Sequence, residues 1–457
     1  LHIDGGLALP DVEFPQVLQP PPGVFDGRTS PDPTEKGSFR TTEATVIEMK
    51  RVVVTGLGTI SPVGHSVAET WASLIAGVNG IAPITYFPTD DIKYKLAAQI
   101  KDYNPTDFLD KMTARKTDLF VQYALIASEE AMNDSGIAGN VAPERLAVYY
   151  GSGVGGFNTM CSEHEALLSG GPRRVSPHFI PKMISNIAAG NIAIKYGAHA
   201  DCVAVSTACA SGTTAVGEAY RLISGGYADA AICGGSEAAI TPLTVAGFGN
   251  CQALTASEDV NAASIPFDKR RSGFVLGEGA GTLILEEYSH AVARGANIYA
   301  EVCGYGSTCD AHHVTAPDPG AAMSAKAIAD ALKDVAYEPE KLYINAHGTS
   351  TPLNDRTETA AIKKALGESI AAKIHMSSTK SMTGHMLGAA GALEAIVAIK
   401  AICGGIVPPT INYLEKDEDC DLDCTPNKAV SCEITTAAST SLGFGGHNAS
   451  LVFCKYE

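Results

Sequence analysis

A thiol and two imidazoles are the side chains of this sequence best suited to act together in covalent chemistry. Cys209 stands in Val205-Ser206-Thr207-Ala208-Cys209-Ala210-Ser211-Gly212, between an apolar strand-like run and a helix of small residues. A thiol placed there faces the free N–H groups of the helix start, and these with the helix dipole stabilise a thiolate and lower the thiol pKa. His347 follows the apolar run 342–344 in Asn345-Ala346-His347-Gly348-Thr349-Ser350-Thr351-Pro352. That is the carboxyl end of a strand, where α/β proteins collect their sites. His385 opens a second small-residue helix in Lys380-Ser381-Met382-Thr383-Gly384-His385-Met386-Leu387-Gly388. A buried cysteine is ordinarily structural and a lone histidine ordinarily a satisfied core or surface residue. A Cys and two His at equivalent ends of two similar stretches instead form a candidate catalytic cluster.

These residues need a frame to bring them together. From Arg51 onward, short β-branched runs alternate with Gly-rich turns and longer helical stretches, the pattern of parallel sheets covered by helices, so the chain is read as α/β. A weak internal echo divides it: a strand running into a Gly turn at 52–58 and again at 298–306, and later a Gly/Ala-rich helix behind a reactive residue, after Cys209 and after His385. The expected organisation is an irregular, Pro-rich extension over 1–50, a first half over 51–297 and a second over 298–457. The helices at 210–226 and 388–404 carry small side chains on every face, which lets other backbones approach closely; both are placed centrally, between sheets.

Composition narrows the function. The chain has 457 residues, 45% of them hydrophobic, enough for a large core. Its 33 Lys plus Arg against 50 Asp plus Glu give a net charge of −17, which argues against an electrostatic nucleic-acid binder. Twelve scattered cysteines, several in apolar runs, fit free thiols in a reducing compartment. The apolar stretch at 389–407 is interrupted by Glu394 and Lys400, so no membrane span is expected. The acidic residues of the extension fit poorly with a transit peptide, and the chain starts at Leu1 rather than Met, which points to processing or trimming.

From about residue 51 to the end the chain resembles the β-ketoacyl-acyl-carrier-protein synthases, and among them the type II elongating enzymes. The resemblance rests on the segments around Cys209, His347 and His385, on Pro266-Phe267-Asp268 with Gly273-Phe274-Val275-Leu276-Gly277-Glu278-Gly279, and on Gly443-Phe444-Gly445-Gly446, all in the family's order. It implies a thiolase-like fold, with two halves in a five-layered α-β-α-β-α core, usually as a homodimer. It also implies that Cys209 is acylated, that His347 and His385 stabilise the enolate left when a malonyl thioester loses carbon dioxide, and that Lys380 and Glu394 lie buried behind the histidines. The backbone N–H groups of Cys209 and Phe444 would form an oxyanion hole, with Phe444 also gating the entry of the second substrate. Thr315, Thr349 and Thr351 resemble the residues that meet the phosphopantetheine arm, which the carrier protein delivers; no other cofactor and no metal is implied. Val154 and Phe179 correspond to the acyl tunnel, and Val154, where a larger Ile is frequent, leads to an expectation of medium to long acyl chains. Lys111, Arg115 and Lys116, with Arg173 and Arg174, match the docking patch for an acidic acyl carrier protein, while Lys269, Arg270 and Arg271 read as further surface charge.

Two other signals are set aside. Cys420, Cys424 and Cys432 lack the spacing of a four-ligand zinc site and are read as part of a solvated acidic loop; His312-His313 is at most a secondary element of the site. A thiolase would need a second cysteine in the turn 443–446, and there is none. A non-catalytic chain-length or carrier-binding partner would have no use for Cys209, His347, His385 and Lys380 together. A discrete polyketide ketosynthase stays open, and so does the compartment: bacterial cytoplasm, or an organelle, which the extension and the cysteines favour.

Overall fold

The computed structural model describes residues 49–457, so the expectation of an irregular extension falls outside the described residues except at Met49 and Lys50. The apolar run that ends the extension begins the fold: strand β1, Val52–Ile60, is buried along its whole length. The first half continues with helix α1, Leu119–Ser135, strand β2, Leu146–Gly151, helix α2, Ile187–Tyr196, strand β3, Cys202–Val205, helix α3, Ser211–Ser224, and strands β4, Ala230–Glu237, and β5, Gly279–Glu287. The second half repeats the order. It has strand β6, Ala300–Cys309, helix α4, Ala322–Leu332, strand β7, Leu342–Asn345, helix α5, Pro352–Leu366, strand β8, His375–Ser377, helix α6, Ala390–Gly404, and strands β9, Thr436–Gly443, and β10, His447–Cys454.

The strands lie in the order β8-β7-β9-β10-β6-β1-β5-β4-β2-β3, which is one five-strand arrangement written twice about the β6/β1 join. Within each half the three outer strands run parallel, β3-β2-β4 and β8-β7-β9, and β5 and β10 run antiparallel to the strands on either side of them. Helices α3 and α6 pack on each other and on the sheets either side of them, α1 covers the first sheet, and α4 with α5 covers the second. The result is the expected α/β fold in five layers, with both Gly/Ala-rich helices at its centre. The stretch Leu387–Gly404 is long and apolar enough to cross a membrane by length and composition, Glu394 and Lys400 included, but 83% of it is buried inside the protein.

Glycine sets the spacing of the layers. A Cβ on Gly56 or Gly58 of β1 would sit 2.3 and 2.0 Å from the carbonyl oxygens of Ala131 and Ala127 on α1. The second half repeats the contact: Gly304 and Gly306 of β6 meet the carbonyls of Ala331 and Ala327 on α4 at 1.9 and 2.0 Å. These glycines were read as turn residues; they lie inside strands because a helix backbone rests on them. At the centre, a Cβ on Gly212 of α3 would come within 2.8 Å of Gly388 O and Ala392 N. A Cβ on Gly391 of α6 would come within 1.9 Å of Thr213 Oγ1.

The acidic segment 415–423 is a largely exposed loop, as read, but it also has a buried side. Asp417, Asp419 and Asp421 pair with Arg271, Arg356 and Lys363, while Cys420 and Cys424, each 2% exposed, are buried in the core beneath α5 and β7. Alternating acidic and apolar residues thus make it a strap with one wet and one dry face. Because neither helix backbone at the central crossing can retreat, Gly212→Ala should lower the unfolding free energy by about 1–3 kcal/mol, measurable by denaturant titration.

Candidate active site

Cys209 lies in a 3₁₀ turn, Ala208–Ala210, that runs straight into α3. The turn forces Ala208 into the left-handed region, φ 49°, a strain of the kind kept where a side chain must be aimed. His347 follows β7, and its loop is tied down by Glu358 on α5. That carboxylate accepts from His347 N at 2.6 Å, from Gly348 N at 2.7 Å and from Thr440 Oγ1 at 2.7 Å. His385 lies between a short helix, Lys380–Thr383, and the 3₁₀ turn Leu387–Ala389 that leads into α6. Its backbone N–H donates to Val275 O at 2.7 Å.

One ligating atom from each of Cys209, His347 and His385 falls within 4.8 Å of the others. The imidazoles are nearly perpendicular, 5.3 Å between ring centres, and Phe274 meets His385 edge to face at 5.1 Å. All three reactive residues are buried. His385 Nδ1 accepts from Leu387 N at 3.3 Å; the ring proton therefore sits on Nε2, which has no partner in the protein and is free to donate. Burial pushes the pKa of both histidines well below the ordinary value, reinforced by the Lys380 charge and, for His347, by His385. Neutral imidazoles that donate one hydrogen bond suit a developing oxyanion.

The thiol departs from the sequence expectation. Burial raises Cys209 to about 11, against the lowering influence of Lys380 and of the backbone N–H groups of Phe444 and Cys209 itself. The helix start acts in the expected direction, but removing the thiolate from water is the larger effect. Those two N–H groups act on the thiol from one side, beside which the carbonyl oxygen of an acyl group carried by the sulfur would develop charge. Gly445 and Gly446, at φ 87° and 77°, make the turn that aims the first of them.

Lys380 and Glu394, 1% and 2% exposed, form a buried ion pair. Thr349, Thr351 and Thr315 line a cavity of about 340 Å³ together with Cys209, both histidines and Phe444, and the Thr349 and Thr351 hydroxyls lie 2.9 Å apart. Val154 and Phe179 do not line it: Val154 is 37% exposed and Phe179 starts a separate short helix, Phe179–Met183. Lys111, Arg115 and Lys116 edge a surface groove that also contains His178 and Lys182, which the sequence reading missed. Arg173 and Arg174 are exposed nearby in sequence but do not line that groove. Arg271, read as surface charge, is buried between Asp355 and Asp417 and donates to the carbonyls of Thr351 and Pro352, fixing the cavity wall. Glu358 and Asp355 were also missed. Their spacing of three on a helix begun by Pro352, downstream of His347, was the available signal. His313 caps the 313–316 turn by accepting from Thr315 N and Ala316 N. Among the described residues, Cys209, His347 and His385 form the one group close enough to hold a metal ion.

The comparisons with known proteins agree with this geometry. Residues 49–291 match the N-terminal domain, and residues 299–414 the C-terminal domain, of beta-ketoacyl synthase; the chain belongs to the β-ketoacyl synthase family. It is 50% identical over 414 residues to a 3-oxoacyl-[acyl-carrier-protein] synthase 2 of Synechocystis sp., covering 90% of this chain and 99% of that one. A Staphylococcus aureus protein of the same name is 48% identical over 410 residues, covering 89% and 99%. Among solved structures, the fold superposes on the ishigamide ketosynthase/chain length factor with a TM-score of 0.84 at 37% identity, and on a beta-ketoacyl synthase from Burkholderia phymatum at 0.82 and 36%, each over 90% of this chain and all of the other. A type II polyketide ketosynthase solved with its acyl-carrier protein matches at 0.81 and 36%, with the same coverage.

Two outcomes follow from the electrostatics. With the thiol raised to about 11, alkylation of Cys209 by iodoacetamide should accelerate about tenfold per pH unit from roughly pH 7 to pH 10; a plateau near neutrality would mean a lowered pKa. Lys380→Ala should destabilise by about 3–5 kcal/mol through the orphaned Glu394, whereas Lys380→Met with Glu394→Leu should restore thermal stability without restoring turnover.

Proposed function

We propose that this protein elongates acyl chains by decarboxylative Claisen condensation, as a 3-oxoacyl-[acyl-carrier-protein] synthase of the elongating type. The observation that carries the reading is the convergence of Cys209, His347 and His385 beside the Phe444 and Cys209 N–H groups. In the first half-reaction the Cys209 thiol gives up its proton as its sulfur attacks an acyl thioester, the two N–H groups hold the oxyanion, and the carrier sulfur leaves and takes up a proton as the free thiol. Phe444, on its Gly-rich turn, then moves to admit a malonyl thioester. Loss of carbon dioxide leaves an enolate whose oxygen accepts from the ring N–H groups of His347 and His385. Its carbon attacks the acyl-cysteine, and the Cys209 sulfur departs as the β-ketoacyl product forms. Lys380 and Glu394 act behind the histidines.

Thr315, Thr349 and Thr351 are assigned to the phosphopantetheine arm, Val154 and Phe179, which lie outside the cavity in front of Cys209, to a separate path for the acyl chain, and no further cofactor is invoked. The basic residues Lys111, Arg115, Lys116, Arg173 and Arg174, now joined by Lys182, form no ion pair with a described residue and suit an acidic carrier protein. A homodimer is supported by β3, an edge strand with Cys202 and Val203 exposed. We assign the boundary between the two halves to residue 298. A reducing compartment suits the twelve free cysteines; the relatives compared belong to bacteria, and between bacterial cytoplasm and an organelle the extension and the cysteines favour the organelle.

The polyketide matches favour a second reading, a discrete ketosynthase that extends one chain repeatedly. Both are tested by incubating the protein with a twelve-carbon acyl carrier protein and malonyl carrier protein, with Cys209→Ala alongside. A single two-carbon extension, abolished in the variant and weakened by salt, is the expected result. Repeated extension would favour the polyketide reading, and activity on an acetyl primer alone would overturn the assignment to medium and long chains.

A further inference from the structure

The two halves place equivalent backbone at Cys209 and at Gly388. Ala208-Cys209-Ala210-Ser211-Gly212 and Leu387-Gly388-Ala389-Ala390-Gly391 each form a 3₁₀ turn leading into a central helix. In each the first residue is strained into the left-handed region, Ala208 at φ 49° and Leu387 at φ 46°. Cys209 lines the substrate cavity, whereas the Gly388 N–H is occupied. It donates at 3.0 Å to Glu237 Oε2, which also accepts from Gly153 N at 2.7 Å. Two backbone N–H groups converging on one buried oxygen reproduce an oxyanion hole, and in this half a carboxylate fills it.

We propose that Glu237 is a positioning residue for the condensation, an internal anion that locks the Leu387–Gly388 turn and through it the tautomer of His385, while tying that turn to the acyl-side loop. The links are short. Glu237 is 0% exposed, and no Lys or Arg pairs with it among the described residues. Its other oxygen accepts from Ser152 Oγ at 2.9 Å and Val154 N at 3.3 Å, so four donors compensate its burial. Leu387, next to the clamped Gly388, supplies the N–H that makes His385 Nδ1 an acceptor. Ser152, Gly153 and Val154 connect β2 to the helix Phe157–Gly170. A carboxamide cannot substitute: its NH₂ would face N–H donors and leave them unsatisfied. The functional consequence rests on the condensing reading above; the structural consequence for His385 does not.

The test uses the full chain labelled with ¹⁵N-histidine. In the parent protein His385 should resonate as a neutral imidazole protonated on Nε2. In Glu237→Gln a population protonated on Nδ1 should appear. Decarboxylation of malonyl carrier protein should fall about tenfold or more in kcat with KM within about twofold, while iodoacetamide alkylation of Cys209 changes by less than about threefold. Glu237→Asp, which keeps the charge one methylene shorter, should recover part of the loss. Should Glu237→Gln not fold, Ser152→Ala, which removes one donor and spares the carboxylate, should shift the His385 signals in the same direction with a smaller fall in decarboxylation. Unchanged His385 signals in whichever variant folds, or decarboxylation and alkylation declining together with thermal stability, would overturn the proposal. Failure of the condensing reading would show separately, as product formation that survives Cys209→Ala.

Discussion

The closeness of two helix backbones at the centre of the molecule governs everything built around it. Where α3 and α6 cross, Gly212 and Gly391 leave no room for a Cβ. The crossing brings the turns at the start of both helices side by side. Cys209 comes from one turn and His385 from just before the other, so a contact between residues far apart in sequence becomes a local matter of two glycines. His347 then needs only the end of β7, and Glu358 fixes it there through its backbone rather than its ring. A larger residue at the crossing would therefore disturb the distance between nucleophile and imidazole before it disturbed either residue alone.

Electrostatics refine what packing has assembled. The site holds a buried ion pair, Lys380 with Glu394, and carboxylates at 237 and 358 whose burial lifts both to about 7 even though backbone N–H donors oppose the shift. The same burial depresses the histidines and raises the thiol. Neither reactive class is thus charged in the resting protein, and charge arises only where N–H groups wait for it. That arrangement favours stabilising an oxyanion over holding a preformed thiolate.

The chemistry of this chain was legible where side-chain type and backbone signal coincide. Cys209, His347 and His385 each sit beside a strand end or a helix start, and the small-residue helices announced a crowded centre. The doubling of the fold was legible from repeated strand–glycine patterns, although Gly56, Gly58, Gly304 and Gly306 were taken for turns, because sequence does not reveal what backbone lies on top of a glycine. Glu237, Glu358 and Arg271 were missed for one reason: a buried charge satisfied by backbone groups looks in sequence like any surface charge. The direction of the Cys209 shift was missed likewise, since desolvation is a property of the packed molecule. Cys420 and Cys424 hid in an acidic segment whose apolar face appears only when it straps α5.

The strand–helix contacts of the outer layers have a volumetric consequence. At Gly56, Gly58, Gly304 and Gly306 backbone touches backbone, leaving little void for pressure to remove, because compressibility follows imperfect packing. The cavity of about 340 Å³ in front of Cys209 is bounded differently, by side chains and the turn at Gly445 and Gly446. The glycine-spaced layers accordingly act as an incompressible frame around that cavity, and an occupant would fill space that the frame itself cannot close.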